Sequence, residues 1–258
     1  MRAVGLGTLA LVVALGTVAC GSDAPPVCPT GSCELPGSTV VKWHFNNYPA
    51  WMFDSDACSD LSVFQVKVDV VGIDDPSQVA TMTKGCGEGQ LTFLDLAPGN
   101  YGVDVTPLDI NGDPAVGMPT HGEVLAGSSG ANTEVTIAVP YTAWLVPYTG
   151  TFLFRLSWGG MGCSAAAVTT QVLTLTAGGT VVTAVTDTNQ KVDGTDPKDC
   201  RDIGEMFPQF VEGVPFGPAT LEVTGQNGGG TPIFHSTFDT FVGAGKFNPT
   251  MTFDVAAM

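Results

Sequence analysis

The sequence predicts an all-β protein made of two tandem antiparallel β-sandwich domains. The chain is rich in Gly, Thr and Val, and only 13% of its residues are charged, which is typical of strands and turns. Short segments of alternating apolar and polar residues recur along the 258 residues, separated by clusters of Gly, Pro, Asn and Asp. The same series of segments occurs twice, at an offset of roughly 105 to 120 residues. Each half is therefore expected to form its own sandwich.

The first strand of each half has one apolar and one polar face. Residues 41–45 place Val, Trp and Phe on one side and Lys and His on the other. Residues 154–158 repeat this pattern with Phe, Leu and Trp against Arg and Ser. Alternation with a period of two indicates a strand that is buried on one side. Both segments are predicted to line a core.

The later strands follow in the same order in both halves. In the first half, Phe64 and three valines are predicted to form the apolar face of the second strand. The matching segments are 64–70 with 173–176, 96–105 with 216–223, and 135–139 with 251–255. A repeated order of strands predicts that the two sandwiches share one topology.

Six cysteines that follow Cys20 predict a disulfide framework, because an even number in an exported chain is typical of one. Six cysteines allow fifteen pairings. The repeat favours one of them, since Cys occurs at matching places in the two halves; the predicted pairs are Cys58 with Cys86, Cys163 with Cys200, and Cys28 with Cys33. Each of the two larger loops is expected to stabilise its domain by about 3 to 4 kcal/mol.

The N-terminal segment has the layout of an export signal. Arg2 is followed by an uncharged run over residues 3–19, which ends in Thr17-Val-Ala-Cys20. The segment resembles the lipobox signal peptide of bacterial lipoproteins, with Thr17 where that motif usually has Leu. The resemblance implies cleavage before Cys20 and attachment of lipid, palmitate included, to its thiol. An uncleaved membrane anchor is the alternative, although the apolar run is short for a bilayer span.

These features predict four parts of the chain. The stretch after Cys20 is rich in Gly, Ser and Pro and is expected to be a tether. The join between the two halves is apolar, and Trp144 and Leu145 are expected to pack between the domains. The predicted parts are a signal peptide at 1–19, the lipidated Cys and tether at 20–38, and sandwich domains at 39–147 and 148–258.

One turn carries a further resemblance. Leu96-Ala-Pro-Gly-Asn-Tyr101 resembles the L-x-P-G-x-Y corner of prealbumin-like sandwiches, including carboxypeptidase regulatory-like and Cna-B-type domains. The counterpart, residues 216–221, lacks both the Gly that follows Pro and the Tyr. The resemblance implies an exported, non-catalytic module that serves as a stalk, spacer or binding domain.

No residues are predicted to be catalytic. The three histidines, His44, His121 and His235, are far apart in sequence, and no metalloprotease, nucleophile-elbow or P-loop motif occurs. We expect His44 on the polar face of a strand, His121 in a loop and His235 in a late strand. The alternative is a hydrolase whose site assembles across the fold; replacement of His121 would then abolish its activity.

An insertion in the first half concentrates aromatic residues. Tyr48, Trp51 and Phe53 lie between the first strand and Cys58, and the second half has only a short Gly-rich link there. These rings would suit a stacking platform for a glycan or an apolar patch for a protein. They would equally suit a plug for the open end of the sandwich, and the sequence leaves both interpretations open.

Acidic residues gather beside two of the predicted disulfides. Such loops could bind calcium, which takes six to eight oxygen ligands, or they could be solvated turns of an acidic protein. The residues concerned are Asp54, Asp56 and Asp60 around Cys58, and Asp193, Asp196 and Asp199 around Cys200. No other cofactor is expected.

The charge balance limits the partners. A net charge of −16 gives no basic face for nucleic acid and repels anionic lipid, so contact with a bilayer would rest on acylated Cys20. By analogy with lipoprotein sorting, Gly21 in place of Asp predicts the outer membrane if the host has two. The sequence thus predicts a non-catalytic, lipid-anchored protein of the cell envelope that acts as a binding or structural module. Its expected partner is another envelope protein or a glycan; an adhesin-type role for the Trp51 loop is the alternative.

Overall fold

The structure, a computed structural model, describes residues 36–45, 55–127, 132–246 and 248–258. All of these residues belong to one compact unit. Nearly all of the regular structure in these ranges is strand, and the predicted all-β fold is confirmed. None of the helices within them is long and apolar enough to cross a bilayer.

The first sandwich packs a three-stranded sheet on a four-stranded sheet. In chain order its elements are β1 Gly37–His44, α1 Ser55–Asp60, β2 Gln65–Gly72, β3 Val79–Gly85, a 3-10 turn at Cys86–Glu88, β4 Gln90–Leu96, β5 Gly99–Leu108, β6 Thr120–Ala126 and β7 Asn132–Ala138. The sheets have the orders β4-β1-β7 and β3-β2-β5-β6. Neighbouring strands run antiparallel, except that β1 and β7 run parallel.

The second sandwich repeats this topology. Its strands are β8 Thr149–Trp158, β9 Thr170–Ala177, β10 Thr180–Val181, β11 Lys198–Asp199, β12 Gln209–Pro215, β13 Gly217–Gln226, β14 Pro232–Val242 and β15 Met251–Val255. The sheets have the orders β12-β8-β15 and β10-β9-β13-β14, and β11 adds to β9. Again one pair, β8 and β15, runs parallel. The strand order therefore matches that of the first sandwich, as the repeat predicts.

The predicted apolar faces of the two first strands form the cores. None of the six side chains exposes more than 1% of its surface: Val41, Trp43, Phe45, Phe154, Leu156 and Trp158. Buried side chains from the facing sheets complete one apolar cluster in each sandwich. Alternation with period two thus identified the buried faces correctly.

Phe64 is an exception to the predicted pattern, because 58% of its side chain is exposed. The chain turns at Ser62, whose φ is 53°, and β2 begins only at Gln65. Val63, which is 5% exposed, occupies the core at this point instead. The prediction for Phe64 was wrong because the turn changes the face before the strand starts.

The corner residue Tyr101 closes the β4–β5 turn. Its side chain is 2% exposed, and its hydroxyl donates a 2.8 Å hydrogen bond to the carbonyl of Ala97. Gln78 Oε1 lies 2.5 Å from the same hydroxyl. The aromatic ring thus fills the core while its polar tip fixes the turn.

Two disulfides join the predicted partners. Cys58 at α1 is bonded to Cys86 at the 3-10 turn, and Cys163 is bonded to Cys200. Each bond connects a loop after the first strand of a sandwich to a loop 28 or 37 residues further on. Cys28 and Cys33 lie outside the described residues, so their pairing stays a prediction.

The two sandwiches meet at the segment that joins β7 to β8, which we call the junction. Trp144 lies between Phe45 and Tyr148, with ring centroids 5.5 and 5.9 Å away and edge-on geometry. The Tyr148 hydroxyl donates a 2.8 Å hydrogen bond to the carbonyl of Leu61. Trp144 and Tyr148 both pack against the core of the first sandwich. The connecting segment is therefore anchored in that core.

The second sandwich also contributes directly to the junction. Its residues Phe216 and Ala244 pack against the core of the first sandwich. The Asp60 carboxylate approaches Gly245 so closely that a Cβ there would overlap it. Gly245 has a φ of 80°, which favours glycine. Contacts on both sides of the connecting segment thus hold the sandwiches together.

Leu145 does not pack between the sandwiches as the sequence predicted. Its side chain is 62% exposed. Its N–H donates a 3.1 Å hydrogen bond to the carbonyl of Ala115, which attaches the backbone to the first sandwich and leaves the side chain over Gly117. Of Trp144 and Leu145, only Trp144 makes apolar contacts at the junction.

Gly150→Ala is expected to destabilise the protein, because the new Cβ would overlap the carbonyl oxygen of Gly243. The loop between β14 and β15, which contacts the first sandwich, must then move. Overpacking of this kind costs about 1 to 3 kcal/mol, and urea unfolding would measure the loss. Gly204→Ala is the matched control, since a Cβ there meets no atom within 4 Å. Equal stability of the two variants would contradict the close contact.

Candidate functional site

The second sandwich has a free end, which we call the distal end. Strand β8 starts at the junction with Thr149 and ends at Trp158, and β12 runs back beside it from Gln209 to Pro215. Residues 201–208 therefore lie beside the second half of β8. Gly162, just after β8, packs so closely on Asp202 that a Cβ would overlap the carboxylate. The long loop before β12 is thus brought to the distal end.

Three glutamines bury their amide groups beneath this loop. The exposed fractions of Gln171, Gln190 and Gln209 are 0, 0 and 3%. Gln171 Nε2 donates to Gln190 Oε1 at 3.0 Å and to Gln209 Oε1 at 2.6 Å. Gln190 Nε2 donates to the carbonyls of Gln171 and Asp196 at 2.8 and 3.2 Å. Because buried amides are costly without partners, this glutamine cluster fixes three segments of chain relative to one another.

Two arginines hold residues 201–208, which we call the arginine-bound loop. Arg155 on β8 donates to the carbonyls of Ile203, Glu205 and Met206 at 2.9, 2.5 and 3.1 Å. Arg201 donates to Asp187 at 2.6 Å and to Glu205 at 2.8 and 2.5 Å. Hydrogen bonds from charged donors are stronger than neutral ones. The loop is thus fixed by guanidinium groups on both sides.

The electrostatics of the loop agree with this geometry. Hydrogen bonds from Arg201 lower the pKa of the Glu205 carboxyl from its ordinary value. Burial opposes the charge of Arg201, but its bonds to Glu205 and Asp187 raise the pKa of the guanidinium overall. Both groups are therefore charged when they pair at neutral pH.

The loop exposes two large apolar side chains at its tip. Met206 is 83% exposed and Phe207 is 70% exposed. None of the residues from 201 to 208 is buried. Polar contacts with the arginines and the disulfide at Cys200 are therefore the main restraints on this loop.

Two open depressions share Asp187, and one of them adjoins the arginine-bound loop. One has a volume of about 420 Å³ and is lined by Asp187, Thr188, Lys198, Asp199, Cys200, Arg201 and Glu205. The other has a volume of about 420 Å³ and is lined by Ala184, Val185, Thr186, Asp187, Phe210 and Glu212. Carboxylates outnumber cations around both. The distal end therefore combines an apolar tip with an acidic surround.

The aspartates of the second predicted calcium cluster belong to separate local structures. Asp193 accepts hydrogen bonds from the N–H and hydroxyl of Thr195, which lower the pKa of its carboxyl. Asp196 accepts one from the N–H of Lys191 at 3.1 Å. Asp199 lies in β11. Across the described ranges, no group of three His, Cys, Asp or Glu side chains is arranged to hold a metal ion.

The first predicted calcium cluster and the aromatic loop lie largely outside the described residues. This applies to Asp54, to the side chain of Asp56, and to Tyr48, Trp51 and Phe53. Asp60 is described and its carboxylate lies against Gly245 at the junction. The calcium and platform hypotheses for this segment stay predictions. The same holds for lipidation at Cys20.

The three histidines occupy three different sheets, in β1, β6 and β14. His121 was expected in a loop, but it lies in β6, because residues 120–126 pair with β5. Its Nδ1 is 2.8 Å from Asp104. His235 Nδ1 is 3.2 Å from the hydroxyl of Thr224, and its Nε2 is 3.9 Å from Glu222. Within the described part of the chain, no histidine hydrogen-bonds to both an acid and a hydroxyl.

Sequence reasoning missed the residues that build the distal end. Arg155 was identified only as a polar-face residue, and the three glutamines carry no pattern that indicates contact across the fold. One signal was available: Met206-Phe207 is an apolar pair inside a polar loop just after Cys200.

Gln171→Leu is expected to destabilise the second sandwich, because it leaves the buried amide oxygens of Gln190 and Gln209 without their donor. A buried polar group that loses its partner costs about 1 to 3 kcal/mol. Urea unfolding would measure the change in the free energy of unfolding. Gln90→Leu, at an exposed position, is the matched control. A change below about 0.5 kcal/mol for both variants would contradict the role of the glutamine cluster.

No family model and no curated protein matches the sequence. Searches of solved structures find likenesses, among them the TIE protein of Bacillus anthracis, with 11% identity and a TM-score of 0.26. That match covers 87% of this chain and 34% of the other, so the chain spans about a third of that protein.

Two further likenesses are to proteins of similar size. The minor pilin of Streptococcus agalactiae is 11% identical with a TM-score of 0.27, and the match covers 86% of this chain and 96% of the pilin. A putative adhesin from Bacteroides ovatus is 11% identical with a TM-score of 0.25, over 78% of this chain and 75% of the adhesin. At these TM-scores the likenesses carry no argument about function.

Proposed function

We propose that this protein is a lipid-anchored, non-catalytic module of the cell envelope that presents a binding surface away from the membrane. The observation that carries the proposal is the direction of β1. Its first residue, Gly37, packs against Gly127 at one end of the first sandwich. Its other end leads to Phe45, which contacts Trp144 at the junction. The chain therefore enters β1 at the end of the first sandwich farthest from the second.

The anchor itself is proposed from the sequence. Acyl chains on Cys20 would supply the apolar area for stable membrane attachment, at about 0.8 kcal/mol per buried methylene. A net charge of −16 would keep the body of the protein away from anionic headgroups. Lipid attachment and charge thus act together to hold the body off the surface.

The junction supports the presenting role. The eight residues of β1 span about 26 Å at the usual rise of a strand, and the second sandwich lies beyond them. Because Phe216 and Ala244 pack on the first core and Asp60 lies against Gly245, the distal end keeps a fixed direction relative to β1. We propose that a second envelope component, a protein or a glycan, binds there.

Intact-mass analysis of the protein produced in a bacterial host tests the anchor. We expect a product that lacks residues 1–19 and carries acyl chains on Cys20. Cys20→Ser removes the acceptor thiol, so this matched control should remain unacylated and should appear in the soluble rather than the membrane fraction. A wild-type product that retains its leader, or has no acyl group, would contradict the proposal.

A further inference from the structure

We propose that Met206 and Phe207 form a preorganised anchor for an envelope protein whose surface has an apolar pocket ringed by Lys and Arg. This deepens the proposed function and rests on it. It adds a recognition site and the chemistry of the partner.

The first argument is the way in which the tip is held. Arg155 gives three of its hydrogen bonds to loop carbonyls rather than to an acid. Arg201 pairs with Asp187 and Glu205 across the loop. None of the loop's apolar side chains is fully buried, and none belongs to the core of the second sandwich. Strong polar contacts therefore fix a segment that contributes nothing to the core, and their effect is to define the position of the tip.

The second argument concerns what a fixed apolar tip can do. An exposed Met-Phe pair favours association, because apolar surface is removed from water on contact. A loop that is already ordered loses little conformational entropy on binding. Interfaces are enriched in Phe and Met, and a few such anchors provide most of their binding energy. The tip therefore has the properties of an anchor.

The third argument is charge, which selects the partner. Five carboxylates lie in the loop or beside it, Asp187, Asp196, Asp199, Asp202 and Glu205, against three cations, Arg155, Arg201 and Lys198, so the surround is net acidic. Both arginines turn inward to the loop, and Lys198 lies 3.7 Å from Asp196. A partner that brings Lys and Arg to this surround gains complementary charge. A second copy of this chain and an anionic bilayer would both meet repulsion.

Photo-crosslinking in intact cells tests the site with the full lipidated chain. Phe207 is replaced by p-benzoylphenylalanine, and Phe64 receives the same replacement as a matched control. Phe64 is also an exposed phenylalanine, at 58%, but lies in the first sandwich. We expect light to join position 207, and not position 64, to one protein at residues beside Lys or Arg.

Affinity measurements with that purified protein complete the test. Phe207→Ala and Met206→Ala should each weaken binding by about 10-fold or more, and Phe64→Ala should leave it unchanged. Arg155→Gln should weaken binding although its side chain does not reach the partner, because it frees the tip. Rising salt should weaken binding of the wild type, since the surrounding charges are exposed.

Several results would overturn the proposal. They are crosslinks from position 207 to lipid, to a second copy of this chain, to a glycan or to nothing, and unchanged affinity in Phe207→Ala. The proposed function would survive any of these if Cys20 is acylated and the chain still reaches the membrane fraction. Absence of acylation would instead refute the anchor, and purified proteins would still test the tip.

Discussion

The architecture depends on the junction, where the connecting segment and two residues of the second sandwich, Phe216 and Ala244, pack on the core of the first. Trp144 packs edge-on between Phe45 and Tyr148, and the Tyr148 hydroxyl bonds to the carbonyl of Leu61. These groups come from the first strand, the loop after α1 and the connecting segment, so they fix the connecting segment to the first sandwich. Without this contact, two sandwiches on a chain would have no fixed relative direction.

The same end of the repeated topology is treated differently in the two sandwiches. In the first, Phe216 and Ala244 of the second sandwich pack on its core. In the second, Cys163, Ala166 and Val168 close the core as their counterparts do in the first, and the loop of residues 201–208 beside them has no buried residue. Guanidinium groups and buried amides hold that loop. The same topology therefore forms the junction in the first sandwich and the distal end in the second.

The fold was predictable from sequence because local patterns of apolar and polar residues determine its strands. Alternation identified the buried faces of β1 and β8, and matching positions of cysteine identified both described disulfides. Phe64 and Leu145 were mispredicted because a turn or a backbone bond determines where each side chain points. The distal site could not be predicted, since Gln171 and Gln209, 38 residues apart, meet only through tertiary contact. Long-range polar contacts leave no periodicity in a sequence.

Distances between spin labels on the two sandwiches test the central claim, that the protein is one rigid presenting body. Thr83→Cys and Thr237→Cys place a label on an exposed strand position of each sandwich, and double electron–electron resonance measures the distribution of distances. We expect a single narrow peak, which broadens when Trp144→Ala removes the central ring. A broad distribution in the protein with an intact Trp144 would contradict the account.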